Sequence, residues 1–203
     1  MINKYFLEEP NILDLSKEIF NAVVGENLKI KTRFELISKK IKDAETVNFI
    51  LADGLGYSNL QSTDSFLNKH INNVVNTTFP SSTNVALTTI AMQANPIDHG
   101  VFSYYMYDKL KYGLINALNW NSENKNLLLS EYFNNQSSIW SIFKENNIYA
   151  SNFQPKNLIN TPLSNFLYEE KSTVPYISHE DLINALSDSL SLENKYNFIY
   201  YPN

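Results

Sequence analysis

Apolar residues recur at helical spacing from Ile12 to Val24, at Ile12, Leu13, Leu15, Ile19, Phe20, Val23 and Val24, and Gly25 stands in the C-cap role. Phe34, Leu36, Ile37 and Ile41 fall on one side of a second predicted helix over 32–42. The pattern then shortens. Val47–Ala52, VNFILA, is a mostly apolar run of the kind buried on both faces of a parallel sheet, and Asp53-Gly54 ends it. A helix over 57–69 is predicted next, then a strand over 73–79 closed by Pro80. Ala86, Leu87, Ile90 and Ala91 recur helically within Thr83–Met92, which Ser82 or Thr83 can cap.

The second half alternates in the same way. Residues 102–107 and 113–118 read as strand or extended loop, and 137–146 as an amphipathic helix carrying Ile139, Trp140, Ile142 and Phe143. A strand over 148–153 precedes a segment, 154–175, read as loop because of Pro155, Pro162 and Pro175. Ser178 with Asp181 three residues on opens a helix that runs to about Leu192. The apolar and aromatic run Tyr196–Tyr201 is the last strand. Strands alternating with helices predict an α/β fold with a largely parallel sheet, and such sheets gather functional groups just beyond the carboxyl ends of their strands.

Composition narrows the chemistry. A net charge of −5, with 16 Lys+Arg spread along the 203 residues, argues against a nucleic-acid binder. The absence of cysteine removes disulfides, thiolate zinc sites and cysteine nucleophiles. The amino-terminal residues lack the apolar stretch of a secretory signal, and no apolar run reaches the ~20 residues needed to span a bilayer, which points to a cytoplasmic protein.

Two short stretches carry candidate chemistry. Asp53 stands where a buried strand ends, as either a turn residue or a carboxylate able to ligate a cation. In FPSSTN, Ser81, Ser82 and Thr83 either cap a helix or place a hydroxyl where free N–H groups favour a phosphate. A metal held by Asp53 would lower the pKa of such a hydroxyl and offset charge on the phosphoryl oxygens.

Taken together, ILADGLG (50–56), TTFPSSTNVALTTI (77–90) and NPIDHGVFSY (95–104) resemble the type I phosphodiesterase/nucleotide pyrophosphatase family of the alkaline phosphatase superfamily. The family's nucleophilic threonine precedes the histidine of its Pro-x-x-His-Gly turn by sixteen positions, which selects Thr83 over Ser81 and Ser82, since His99 is that histidine. The resemblance implies an α/β/α sandwich and hydrolysis of phosphate diesters, pyrophosphates or related esters through a covalent phospho-threonine. It implies two divalent metal ions, usually zinc, and a small-molecule phosphoester or nucleotide as substrate. Asp53 matches a metal ligand and Thr83 matches both nucleophile and metal contact. His99 is expected to be structural, while His70 and His179 match no ligand position.

Departures from the family pattern set limits on that carry-over. Met92-Gln93 replaces the usual Thr-Gly, and Ala86 stands where many members have a phosphoryl-contacting asparagine, so Asn84 becomes the candidate substrate contact. The Asp-x-x-x-His, Asp-His and further histidine that complete the family's two-metal site do not follow Tyr196–Tyr201. The expectation is therefore a single N-terminal portion of a larger hydrolase domain, with 1–44 as helical lead-in and 45–203 as α/β core. Its sheet is expected to be incomplete, with at most one metal weakly bound and no activity alone. The alternative is a non-catalytic relative that binds a phosphate-bearing ligand. The aromatic run 102–107 is assigned to packing ahead of nucleobase stacking. A sulfatase is disfavoured by the lack of cysteine.

Overall fold

Asn11 starts helix α1 (Ile12–Val24) by accepting the N–H groups of Leu13 and Asp14 at 2.9 and 3.2 Å, while Asp14 accepts the Asn11 N–H at 3.1 Å. This reciprocal capping satisfies donors that a bare helix end would leave without partners. The computed structural model describes residues 8–117, 119–124, 127–133, 136–168, 170–191 and 193–202. After the short helix α2 (Ser38–Ile41) comes strand β1 (Val47–Ala52), then α3 (Tyr57–Gln61), α4 (Phe66–Lys69), α5 (Thr83–Met92) and α6 (Pro96–His99). Strands β2 (Tyr105–Asp108), β3 (Gly113–Asn116) and β4 (Asn121–Ser122) form a small antiparallel sheet. Helices α7 (Leu129–Tyr132) and α8 (Ile139–Glu145), strand β5 (Ala150–Pro155), helix α9 (Pro162–Leu167) and strand β6 (Thr173–Tyr176) follow. Helix α10 (His179–Ser191) and strand β7 (Tyr196–Tyr201) end the series.

The main sheet is all parallel in the order β1-β7-β5-β6. Period-two alternation sends Val47 and Phe49, with Tyr196, Phe198 and Tyr200, to one face. There they meet Ile19 and Phe20 of α1, Val85 and Ile90 of α5, Trp140 and Phe143 of α8 and Leu167 of α9 in one cluster. Phe49 meets Phe198 edge to face at 5.6 Å, and Tyr168 stacks on Phe198 at 6.0 Å. The opposite face is thinner. Leu182, Ala185 and Leu186 of α10 cover Phe153, Tyr176 and Ile199. The result is the expected α/β/α arrangement, with unequal layers.

Several local expectations change. β1 is an edge strand, and α10 covers its neighbours instead of it, so Asn48 and Ile50 are exposed and the strand is buried on one face only. The helix read over 32–42 shrinks to Ser38–Ile41, because the buried carboxylate of Glu18 takes the N–H groups of Leu36 and Ile37, the latter at 2.7 Å, and holds that turn off the helical path. The helix over 57–69 breaks into α3 and α4, where Ser62 and Thr63 donate back to Asn59 and Leu60 and Ser65 accepts the Asn68 N–H.

The strand over 73–79 does not enter the sheet and pairs only as a bridge from Asn76 to Asn11. The segment 154–175 holds the end of β5, helix α9 and most of β6. Pro175 is tolerated there because β6 lies at the sheet's edge, where a missing N–H faces no partner strand. Capping of α10 by Ser178 and Asp181 is as expected, with Asp181 N–H donating to Ser178 Oγ at 3.2 Å and Ser178 N–H to Asp181 Oδ2 at 3.3 Å. The predicted element ends at Leu118 and Leu192, the first seven residues and Asn203 lie outside the described residues.

Candidate active site

The parallel ladder between β1 and β7 continues one rung past the strand, where Asp53 N–H donates to Tyr201 carbonyl oxygen at 2.8 Å. That rung, and the turn at Gly54 with φ 72°, fix Asp53 at the carboxyl end of β1. Thr83 is the first residue of α5, which Val85, fully buried, seats against the core. Thr83 Oγ1 donates to Asp53 Oδ2 at 2.8 Å, so two residues thirty positions apart meet as the sequence expects.

A third group joins them. Tyr200, one residue before the end of β7, donates its hydroxyl to the same Asp53 Oδ2 at 2.9 Å. Burial, the hydrogen bond to Asp53 and that carboxylate's charge all push the Tyr200 hydroxyl well above the usual phenol range. It therefore stays a protonated donor. Sequence reading missed Tyr200 because it sat inside an aromatic strand, YNFIYY, indistinguishable from packing. The usable clue was its pairing position, since a β7 neighbour of Leu51 shares a face with the end of β1.

The amino end of α5 is open. Ser82 occupies the N-cap position with extended backbone, yet no side chain caps the helix. Ser82 Oγ instead donates to Asn84 Oδ1 at 2.8 Å. The first helical bond runs from Ala86 N–H to Ser82 carbonyl oxygen at 3.0 Å, leaving the N–H groups of Thr83, Asn84 and Val85 without an acceptor among the described residues. Such an end, with its partial positive charge, accepts an anion. Asp53, Thr83, Ser81, Ser82, Leu55 and Tyr104 are among the residues lining a cleft of about 650 Å³ over this end.

Asn84 is placed differently from the other two candidates. It is 3% exposed, accepts from Ser82 and donates to Ser103 carbonyl oxygen at 2.9 Å. In this arrangement its amide ties the helix start to the loop after α6. His99 is structural as expected: Val101 N–H donates to Nδ1 at 3.1 Å and Thr89 Oγ1 lies 3.0 Å from Nε2. The first contact assigns the ring proton to Nε2. Burial lowers the His99 pKa to about 4, against a smaller raising effect of Asp98. His70 ends α4 against Phe66 carbonyl oxygen at 2.7 Å, and His179 pairs with the Tyr201 hydroxyl.

Asp53 and Thr83 offer oxygen donors suited to a divalent cation, and Asp53 Oδ1 has no hydrogen-bond partner among the described residues. They supply two donors where a stable zinc site takes three or four protein ligands. Among the described residues no group of three or more His, Cys, Asp or Glu is placed to hold a metal ion. The residues present fit one part of a metal centre and do not complete it.

Comparison with known proteins gives one match. The family described as Type I phosphodiesterase / nucleotide pyrophosphatase matches residues 47–199, which run from β1 into β7 and include Asp53 and Thr83, with Tyr200 one residue beyond. The parallel sheet between helical layers agrees with the alkaline-phosphatase-like fold of that family. No curated protein and no solved structure gives a match. No helix among the described residues is long and apolar enough to cross a membrane.

Proposed function

We propose that this chain, which belongs to the type I phosphodiesterase/nucleotide pyrophosphatase family, acts on small-molecule phosphoesters through Thr83 as nucleophile. The observation that carries the reading is the 2.8 Å bond from Thr83 Oγ1 to Asp53 Oδ2 at an uncapped helix start. A hydroxyl that serves only as a helix cap would turn toward the N–H groups of its own helix. This one turns away and leaves those N–H groups for an anion.

Thr83 Oγ1 attacks phosphorus, a bond from phosphorus to Thr83 forms, and the bond to the leaving alcohol or phosphate breaks. The proton that Thr83 loses passes along its bond to Asp53 Oδ2 and from there to the departing oxygen, which leaves as alcohol or protonated phosphate. Water then attacks phosphorus and the Thr83–phosphorus bond breaks, returning the hydroxyl. The free N–H groups of Thr83, Asn84 and Val85 receive the phosphoryl oxygens as charge builds on them. Tyr200 holds Asp53 in place from the β7 side. Members of this family generally depend on metal ions, and a bound divalent cation would supply Lewis-acid stabilisation of the alkoxide and the phosphoryl charge. Asp53 and Thr83 are the residues that would take part in holding it, as half of a site that further ligands complete.

The test is chemical trapping. The full natural reading frame containing these residues, supplied with zinc and an aryl phosphodiester, is quenched in acid during turnover and its peptides are weighed. A phosphoryl group on Thr83 is expected. Turnover with the label on Ser81 or Ser82, or with no labelled peptide at all, would refute the assignment.

A further inference from the structure

A second cavity, of about 190 Å³, opens where the end of β5, helix α9 and the start of β6 meet. It shares no lining residue with the cleft over Thr83. Every described side chain that lines it is uncharged. Gln154, 2% exposed, forms part of its wall, and neighbours fix the orientation of its amide. Gln154 Nε2 donates to Asn152 Oδ1 at 2.8 Å, and Asn152 Nδ2 in turn reaches Thr173 Oγ1 at 3.4 Å. This relay leaves Gln154 Oε1 as an acceptor with no partner among the described residues.

Tyr168 lines the same cavity and has the complementary shortfall. Its ring stacks on Phe198 and meets Trp140 edge to face at 5.8 Å, while its hydroxyl is buried without a partner among the described residues. Burial pushes that hydroxyl well above the usual phenol range, so it keeps its proton as a donor. Buried polar groups are paired in the great majority of cases, and an unpaired one beside a cavity points to a guest. Exposed Asn160 and Asn165 stand at the mouth, and half-buried Ile159 adds an apolar wall. A cavity of about 150 Å³ can hold a benzene ring, so this one has room for a ring bearing one small group. A charged guest would lose its hydration against walls that offer no opposite charge.

We infer that this cavity binds a small uncharged carboxamide, with its N–H on Gln154 Oε1 and its carbonyl oxygen on the Tyr168 hydroxyl. A carboxamide carries a donor and an acceptor side by side, which is what the two unpaired wall groups require. Its apolar remainder lies against Ile159. Water could reach the same polar atoms, yet waters along Ile159 would lack the two to four polar partners that hold them in place. These residues take no part in the phosphoester chemistry proposed for Thr83.

Binding to the chain as it stands tests this without requiring turnover. Benzamide, acetophenone and benzoate are titrated separately while backbone amide NMR shifts of Gln154, Asn160, Ser164, Tyr168 and Thr173 are followed. Benzamide is expected to bind at least about tenfold tighter than acetophenone, which keeps the ring and carbonyl but offers no N–H to Gln154 Oε1. Benzoate, of the same shape but charged, should bind more weakly than either. Tyr168→Phe removes one hydroxyl that has no partner in the free chain, so its thermal midpoint should not fall. Its affinity for benzamide should nevertheless drop about fivefold or more, with the acetophenone comparison in the unaltered chain standing independently of any variant. Equal binding of benzamide and acetophenone, unchanged benzamide affinity in Tyr168→Phe, or no shift at these amides with benzamide would each overturn the inference and leave the cavity to water.

Discussion

Helix α5 has two ends made from similar residues and treated in opposite ways. At its carboxyl end Thr89 meets His99 and both are buried, while half-buried Gln93 donates to Ile90 carbonyl oxygen at 2.6 Å and to buried Ser16. At its amino end Ser82 declines to cap, three N–H groups stay free, and Thr83 reaches 2.8 Å across to another element's carboxylate. Polar residues whose bonding is closed among themselves hold a fold together. Polar residues left with unspent donors over a cleft are arranged for something that arrives. The difference lies in where the hydrogen bonds go, since hydroxyl and amide side chains stand at both ends.

The strongest way to break this contrast is to change one side chain at each end. Thr83→Ala should lower turnover of the complete natural enzyme by at least about 10³-fold, while thermal stability moves little, because the residue's bond is to a functional carboxylate. A loss below about tenfold would show the amino end to be ordinary helix capping.

His99 offers the matching perturbation at the other end, with stability as its readout. Its folded pKa of about 4 lies below the ordinary histidine value of 6.5, so the unfolded chain binds the proton more readily between those limits. Stability from this group is fully present above pH 6.5 and is lost progressively as pH falls toward 4. The usual 1.4 kcal/mol per pKa unit sets an upper bound of about 3.5 kcal/mol on the loss across that window, and solvent at the partly exposed ring brings the expected loss to about 2–3 kcal/mol. Urea midpoints in the native protein should fall accordingly, and His99→Gln should flatten that segment of the profile. An unchanged slope in His99→Gln would remove His99 from the closed end.

The contrast also explains what the sequence could reveal. Asp53 and Thr83 were legible because each sits at a junction, a strand end and a helix start, where local chemistry and a spacing of sixteen residues to His99 point the same way. Tyr200 was not, because its reach to Asp53 exists only through the parallel pairing of strands separated by 147 residues. Helices 57–69 and 32–42 failed for a related reason. Ser62, Thr63 and Ser65 spend their hydroxyls on the backbone, and Glu18 caps a turn from another helix, neither of which apolar periodicity registers. Pro175 misled because a proline forbids a central strand, whereas only the finished sheet order shows that β6 is an edge.

Tyr200→Phe sharpens the amino end further by removing one of the two hydroxyls on Asp53 Oδ2. A hydrogen bond to a charged group contributes about 1.5 kcal/mol or more, so activity should fall about tenfold with the aromatic packing kept. Tyr200 is only 4% exposed, and phenylalanine fills the same space. If Tyr200→Phe reduces stability but leaves turnover and the phospholabel unaltered, Tyr200 belongs to the scaffold and the open end is smaller than described.

The smallest effect is expected at Gln93, where the closed end can be opened without touching the cleft. Gln93 has φ 52°, the left-handed conformation that a side chain makes unfavourable by about 1–2 kcal/mol. Its amide nitrogen offsets this through the bonds to Ile90 and Ser16, while its Oε1 is buried without a partner among the described residues. Gln93→Gly relieves the backbone and the stranded oxygen but loses both bonds, so the net change in unfolding free energy should stay within about 1 kcal/mol. Gln93→Ala keeps the backbone strain and loses the bonds, and should be less stable than the glycine variant by about 1 kcal/mol. Phosphoester shifts at Thr83 should be the same in both. A glycine variant less stable than the alanine one would show that the left-handed turn is not the source of strain. A change at Thr83 in either would show that the two ends of α5 are coupled after all.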